Sequence, residues 1–293
     1  MLTDRAIPIE LDGERGDLAP FAVLDEVADR ARIAFIGEMD HFIVEKYAYR
    51  LLCIRYLASR GWRLFGEEWP TDPKPEFTRG ILANDRQPTG PLEAAQARFR
   101  DALRRLVPDA VWFSFDANAE DTDYVELANA AATYEALRPA LARREQIMHE
   151  KVRRVVADHP DAKVALIAAA QHLLKDDARV RSPGIGAGPG GGTEHSIGHR
   201  TAHELTDGPV LSFWLLHGEG TTANPWLPPP GRLEPAAGTF DAELLARVGR
   251  PCLVPVGDDH HRRAVTAMNN TVLYCRFSEQ VDAIVFAPAV GSL

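Results

Sequence analysis

The stretch ARIAFIGEMDHFIVEKYAYR, residues 31–50, decides the reading of this chain. Residues 32–37 (RIAFIG) form an apolar run of the kind found in a strand covered on both faces. From Asp40 the period changes. Phe42, Val44 to Ala48, Leu51, Leu52, Ile54 and Leu57 make a helical stripe that ends at Ser59-Arg60-Gly61, with Gly61 as the residue just past the helix. WRLFGEEW (62–69) then reads as a second strand closed by Pro70. Strand, helix and strand at this spacing form a βαβ unit, which predicts parallel pairing and a right-handed crossover. The junction between the first strand and its helix carries Glu38, Asp40 and His41, and Glu45 follows one helical turn later.

Working outward, LDEVADRA (24–31) is a short helix, and residues 92–106 are another. VWFSF (111–115) is a short apolar stretch, and 123–158 is mainly helical with a break at Pro139. KVALIAAA (163–170), PVLSFWLL (209–216), CLVPV (252–256) and AIVFA (283–287) read as strands. A helix is expected from about Glu194 to Leu205, and another at FDAELLARVG. Residues 70–92 and the segment GTTANPWLPPPGRLEP read as long loops, and SPGIGAGPGGG (182–192) as a flap. That glycine-rich segment has neither the GK[ST] of a P-loop nor a dinucleotide fingerprint. Strands alternating with helices predict an α/β fold: a single, mainly parallel central sheet with helices on both faces. The 293 residues are read as one domain, with 70–160 as a mainly helical excursion covering the site.

Composition narrows the function. A net charge of −9 argues against a nucleic-acid surface. No apolar run is long enough to span a membrane, and the N-terminus lacks the pattern of a signal peptide, so a cytoplasmic location is expected. The three scattered cysteines, Cys53, Cys252 and Cys275, fit a reducing compartment and neither a disulfide framework nor a thiolate metal site.

Ligands of parallel α/β sheets bind beyond the carboxyl ends of the strands. Three strands here end in ionisable groups: Glu38-Met39-Asp40-His41, Glu67-Glu68, and Gln171-His172. A single carboxylate at such a place can be a helix cap, and Asp40 is read that way. A cap needs no imidazole, so the whole set points to chemistry. A carboxylate beside a histidine fixes the ring tautomer and stabilises its protonated form, as a general base requires. Neither G-x-S-x-G nor HExxH occurs, which leaves water activated by His41 as the simplest chemistry. His195, His199 and His203 are spaced to share one helical face. They read as a polar face bordering the site, with a metal or haem ligand set as the alternative. Asp259-His260-His261 reads as a solvated turn.

The ordered motifs resemble the erythromycin esterase family, part of a wider superfamily with ChaN-like haem-uptake and Tiki-type proteins. They are Gly37-Glu38-Met39-Asp40-His41 through Glu45, Gly61-Trp62-Arg63 leading to Glu68, Arg144-Glu145-Gln146-Ile147-Met148, the strand ending at Gln171-His172, Ile197-Gly198, and Val281-Asp282-Ala283-Ile284. The resemblance covers nearly the whole chain. It implies metal-independent ester hydrolysis of a small molecule without a cofactor, with His41 as base and Glu38 and Glu68 as its carboxylates. Glu45, Arg144 and His172 within these motifs, with Glu67 at its strand end and His199 on the polar helix face, are the expected substrate-binding residues. The chain departs from the family pattern at Ala169 and Ala170, which replace a His and an Asn, and at Lys151, where Asn is usual. It is also shorter than the macrolide esterases. These departures turn the expectation away from a macrolide lactone. They also motivate a second reading, a cyclase, lyase or dehydratase using the same set, beside a third, a haem- or metal-binding protein.

Overall fold

The computed structural model describes residues 1–68, 91–118, 120–131, 136–181, 195–223, 227 and 231–291. The expected flap at 182–192, nearly all of the loop 70–92 and part of the loop before Gly231 lie outside the described residues. In chain order the elements are β1 (Ile7–Pro8), α1 (Asp25–Arg30), β2 (Ile33–Glu38), α2 (Glu45–Ser59), β3 (Leu64–Glu67), α3 (Pro91–Leu106) and β4 (Val111–Ser114). Then come α4 (Thr122–Ala130), α5 (Arg138–Asp158), β5 (Val164–Ala169), α6 (Ile197–Glu204), β6 (Val210–Thr222) and β7 (Gly231–Leu233). The chain closes with α7 (Phe240–Arg247), β8 (Cys252–Pro255), β9 (Arg262–Ala267), β10 (Thr271–Arg276), α8 (Phe277–Gln280) and β11 (Ala283–Val290).

The main sheet runs β1-β8-β11-β6-β2-β5-β3-β4, with β7 added to the end of β6. From β11 to β4 every pairing is parallel, and β8, β1 and β7 add antiparallel edges. This is the expected α/β fold with a mainly parallel sheet. One detail differs. β2 and β3 do not pair with each other, because β5 lies between them and pairs with both. A crossover helix fixes parallel direction, but a later strand can still occupy the intervening place.

The buried run of β2 follows from this position. Ala34 and Ile36 pack with Leu51, Leu52 and Ile54 of α2 on one face. Ile33 and Phe35 pack with Met148, Val152 and Val156 of α5 on the other. Side chains alternate between faces along a strand, so each face takes every second residue and neither can be polar. α1 and α3 share the α2 face, and α6 shares the α5 face. β9 and β10 form a separate hairpin that packs with α7, α8, β8 and β11. That hairpin, β1 and β7 were not expected from the sequence.

α2 begins at Glu45, not at Asp40. Its end is as predicted: Gly61 takes φ +85°, and the Gly61 and Trp62 amides donate to the carbonyls of Ala58 and Leu57 at 3.1 Å each. Asp40 is not the cap of α2. Its Oδ1 accepts the Phe42 amide at 2.7 Å and the Thr222 hydroxyl at 2.9 Å, closing a turn between strand and helix. That turn carries His41 over the rim of the sheet. Pro139 does not break a helix; it sits in the first turn of α5, where its missing N–H is tolerated. No described helix is long and apolar enough to cross a membrane.

Candidate active site

The register of three adjacent strands builds the site. Glu38 on β2 pairs with Ala169 on β5, and Glu67 on β3 pairs with Ile167. Glu38, Glu68 and the turn leading to His172 therefore reach the same rim. Alternation then divides the carboxylates between faces. Glu38 and Glu67 are in phase with Ile36 and Phe65, so both extend toward α2. Glu68 is in phase with Leu64 and extends toward α5.

On the α2 side, Arg50 supports the rim. Its guanidinium holds Glu38 with two hydrogen bonds, one of them Nε to Oε2 at 3.0 Å, and donates a third to Glu67. Lys46 donates to the carbonyl of His41, and the Tyr49 hydroxyl to that of Gly37 at 3.1 Å. These groups are essentially inaccessible to solvent, with Glu38 and Arg50 each 1% exposed. Burial alone would raise the Glu38 carboxyl, but Arg50, His41 and Lys46 together hold it down at about 2. Burial pushes Glu67 up, and the neighbouring Glu38 charge adds to this against the pull of Arg50 and Lys46. Burial and the Arg50 charge lower Lys46 to about 8.

On the α5 side, Glu68 is the hub. Its Oε1 lies 2.9 Å from Arg144 and 3.2 Å from His172 Nε2, and its Oε2 accepts the Ala169 amide at 2.9 Å. Arg144 also grips Asp116 with two bonds of 2.8 and 3.0 Å. The other nitrogen of His172 bonds Glu145, whose second oxygen accepts the Ile197 amide at 2.7 Å. Burial works against a charge on both partners. Even so, His172, His41 and Arg144 hold Glu68 far below the usual carboxylate range. Glu145 and Glu68 raise His172 to about 10 despite its burial, so this imidazole is charged at neutral pH.

His41 joins the two sides. Its Nδ1 lies 3.0 Å from Glu38 Oε1, and its Nε2 faces Glu68 Oε2 at 3.7 Å. The second distance is too long for a direct hydrogen bond. With the proton on Nδ1 directed at Glu38, Nε2 is the nitrogen that would accept a proton on the side of Glu68. This combination of a basic nitrogen beside an ionised carboxylate can orient and deprotonate a water or hydroxyl.

The structure thus brings together His41, Glu38, Glu68, Glu67, Arg144 and His172. Glu67 contacts Arg50 on the buried side of the rim. Among the described residues, Glu45 and His199 make their contacts outside this network. Glu45 accepts the Gly291 amide at 3.1 Å beside the end of β11, and burial raises its carboxyl. His199 sits with Asp177 and His195, the latter preceding α6 instead of lying within it. Ala169 supplies its backbone amide to Glu68, so that wall of the site does not need a polar side chain there.

Sequence reasoning missed Arg50, Lys46, Asp116 and Glu145 as members of the site. A signal for two of them was present. Lys46 and Arg50 fall on the same line of α2 as Ile54, within its apolar stripe, and a cation there requires a buried anion. Gly198 explains how α6 reaches the site: a Cβ on it would lie 2.5 Å from the carbonyl carbon of Leu173. Only glycine lets the helix approach so closely, and the Gly198 amide donates to the His172 carbonyl at 2.8 Å.

The chain is thus an α/β protein whose mainly parallel sheet carries a carboxylate–imidazole cluster at its rim. Solved structures share the fold over nearly its whole length. A mutant of the erythromycin esterase EreC, in its open conformation, superposes with a TM-score of 0.65 at 16% identity, over 98% of each chain. A Bacillus cereus protein gives 0.69 at 12% identity, and a succinoglycan biosynthesis protein 0.61 at 12%, each over 99% of this chain and 96% of its own. No protein-family model and no curated protein matches the sequence. The chain therefore has an erythromycin esterase-like fold.

Proposed function

We propose that this protein hydrolyses an ester, lactone or related acyl bond in a small molecule, with His41 as general base for water. The observation that supports it is the His41 ring, held at Nδ1 by a fully ionised Glu38 and turned at Nε2 toward Glu68. A water beside both groups gives one proton to Nε2 and points the other at Glu68 Oε2. Its oxygen bonds to the acyl carbon as that proton leaves. The imidazolium, stabilised by Glu38, then protonates the departing oxygen as the acyl–oxygen bond breaks. His172 and Arg144 keep Glu68 ionised and in place. Both are slightly accessible, at 12% and 13% of their side chains, so they can also meet the substrate. The similarity in fold to an erythromycin esterase supports the hydrolytic reading.

A panel of carboxylic esters and lactones, erythromycin among them, incubated in heavy-oxygen water tests this reading. The products together are expected to exceed the substrate by one water, with the label in the new acid. A turned-over substrate whose product contains no label would favour the second reading, in which the same groups move protons without hydrolysis. The succinoglycan biosynthesis protein among the structural neighbours supports that second reading.

A further inference from the structure

Outside the His41 network, one group of side chains has no part in the chemistry above. Asp177 follows β5 and is 3% exposed. His195 precedes α6, and His199 lies in its first turn. His195 Nδ1 lies 2.8 Å and His199 Nδ1 3.4 Å from the same oxygen, Asp177 Oδ1. The two imidazoles are stacked almost parallel, 3.9 Å between centres and 11° between planes, so an ion lying in both ring planes requires the half-exposed His195 ring to turn out of the stack. One ligand atom from each of the three residues lies within 4.8 Å of the other two.

We propose that Asp177, His195 and His199 form a divalent-metal site, best suited to zinc, that staples the segment after β5 to the first turn of α6. The donor set is two imidazoles and one carboxylate, which zinc accepts with water completing a tetrahedron. Neighbouring ligand atoms around a tetrahedral zinc stand about 3.3 Å apart, and the two distances to Asp177 Oδ1 bracket that value. The carboxylate is already oriented, because its other oxygen accepts the Ser196 amide at 2.5 Å. The Ser196 side chain in turn accepts the His199 amide at 3.2 Å, which fixes the backbone that carries His199.

The second observation is His199 Nδ1 itself. It is buried and makes no hydrogen bond among the described residues, although it points at the cluster. At 3.4 Å from Asp177 Oδ1 this nitrogen is in ionic contact without a hydrogen bond, and a metal ion between the two would bond both. Access is open on the other side, where the His195 side chain is 48% exposed. The staple also bears on the rim at a distance. Ile197, between the two histidines, gives its amide to Glu145, and Glu145 holds His172.

Full-length protein stripped with a chelator and titrated with zinc by calorimetry tests the proposal. The result expected is one ion per chain at micromolar affinity or tighter, with a rise in melting temperature. Cobalt as a probe should give the visible absorption of a four-coordinate ion. Changing only a partner of a metal ligand typically weakens binding 10–100-fold, so losing a ligand should weaken it by about 100-fold or more. That loss is expected in His195→Ala and in His199→Ala, with circular dichroism showing an unchanged fold. Should His199→Ala fail to fold, the half-exposed His195→Ala carries the test alone. His41→Ala should bind zinc as the native protein does. Absence of saturable binding to the native chain, or undiminished affinity in the histidine variants, would overturn the proposal.

Discussion

Arg50 is the cation on which the rim depends, and replacing it gives a quantitative prediction. Arg50→Met preserves most of the side-chain volume but leaves Glu38 and Glu67 buried without their guanidinium. The structure sets the scale. Glu38 is held at about 2 against an ordinary 4.5, which corresponds to roughly 3 kcal/mol of stability near neutral pH. Breaking a buried ion pair by removing one partner costs about 3–5 kcal/mol, in agreement. Because the folded value is depressed, that stability is present above about pH 4.5 and is lost as the pH falls toward 2. In Arg50→Met the sign reverses for Glu38: burial should raise its carboxyl as it already raises that of Glu67, so the variant should gain stability on mild acidification. Urea unfolding at several pH values, followed by circular dichroism, measures this directly. The native chain should be more stable than Arg50→Met by about 3–5 kcal/mol at neutral pH, with the gap closing in acid. Adding Glu67→Gln to Arg50→Met should recover part of the loss, since one of the stranded charges is removed. A loss below about 1 kcal/mol, independent of pH, would refute the reasoning, because it would mean that the guanidinium is not what keeps these carboxylates charged.

Other outcomes follow from the opposite face and from the turn. His172 is raised to about 10, so its contribution is complete below about pH 6.5 and is lost as the pH rises toward 10. Alkaline unfolding of His172→Gln should therefore show a shallower fall in stability over that range than the native chain, and an identical slope would rule out His172 as the titrating group. Gly198→Ala should destabilise the chain by about 1–3 kcal/mol in urea, because its methyl group meets the Leu173 backbone at 2.5 Å. A neutral effect would mean that α6 can move away from the rim freely.

The parts of this architecture that were legible in the sequence share a cause. β2 sits in the middle of a parallel sheet, so both of its faces are buried and its apolar run has no polar interruption. The same run ends abruptly in Glu38, and the change marks the carboxyl-end rim of the sheet, where folds of this kind bind their ligands. Glu68 and His172 were legible for the same reason, as charges at the ends of buried strands. Which carboxylate faces which way was available too: Glu67 and Glu68 are adjacent in a strand and must point to opposite faces. Strand order was not legible, since β5 enters between β2 and β3 after almost a hundred intervening residues. The β9–β10 hairpin was missed because its Arg-rich strands are only partly buried and lack a strong apolar pattern. Arg50 was hidden by the stripe it belongs to, and the meeting of Asp177 with His195 and His199 depends on packing between distant segments. Local periodicity carries no information about such pairings.

The role of His41 is tested most directly by His41→Gly, assayed on any ester or lactone that the native protein turns over. A general base contributes about 10²–10⁴-fold, so turnover should fall by that factor with the fold unchanged, and added imidazole should restore part of it. Undiminished turnover in His41→Gly without imidazole would contradict the account.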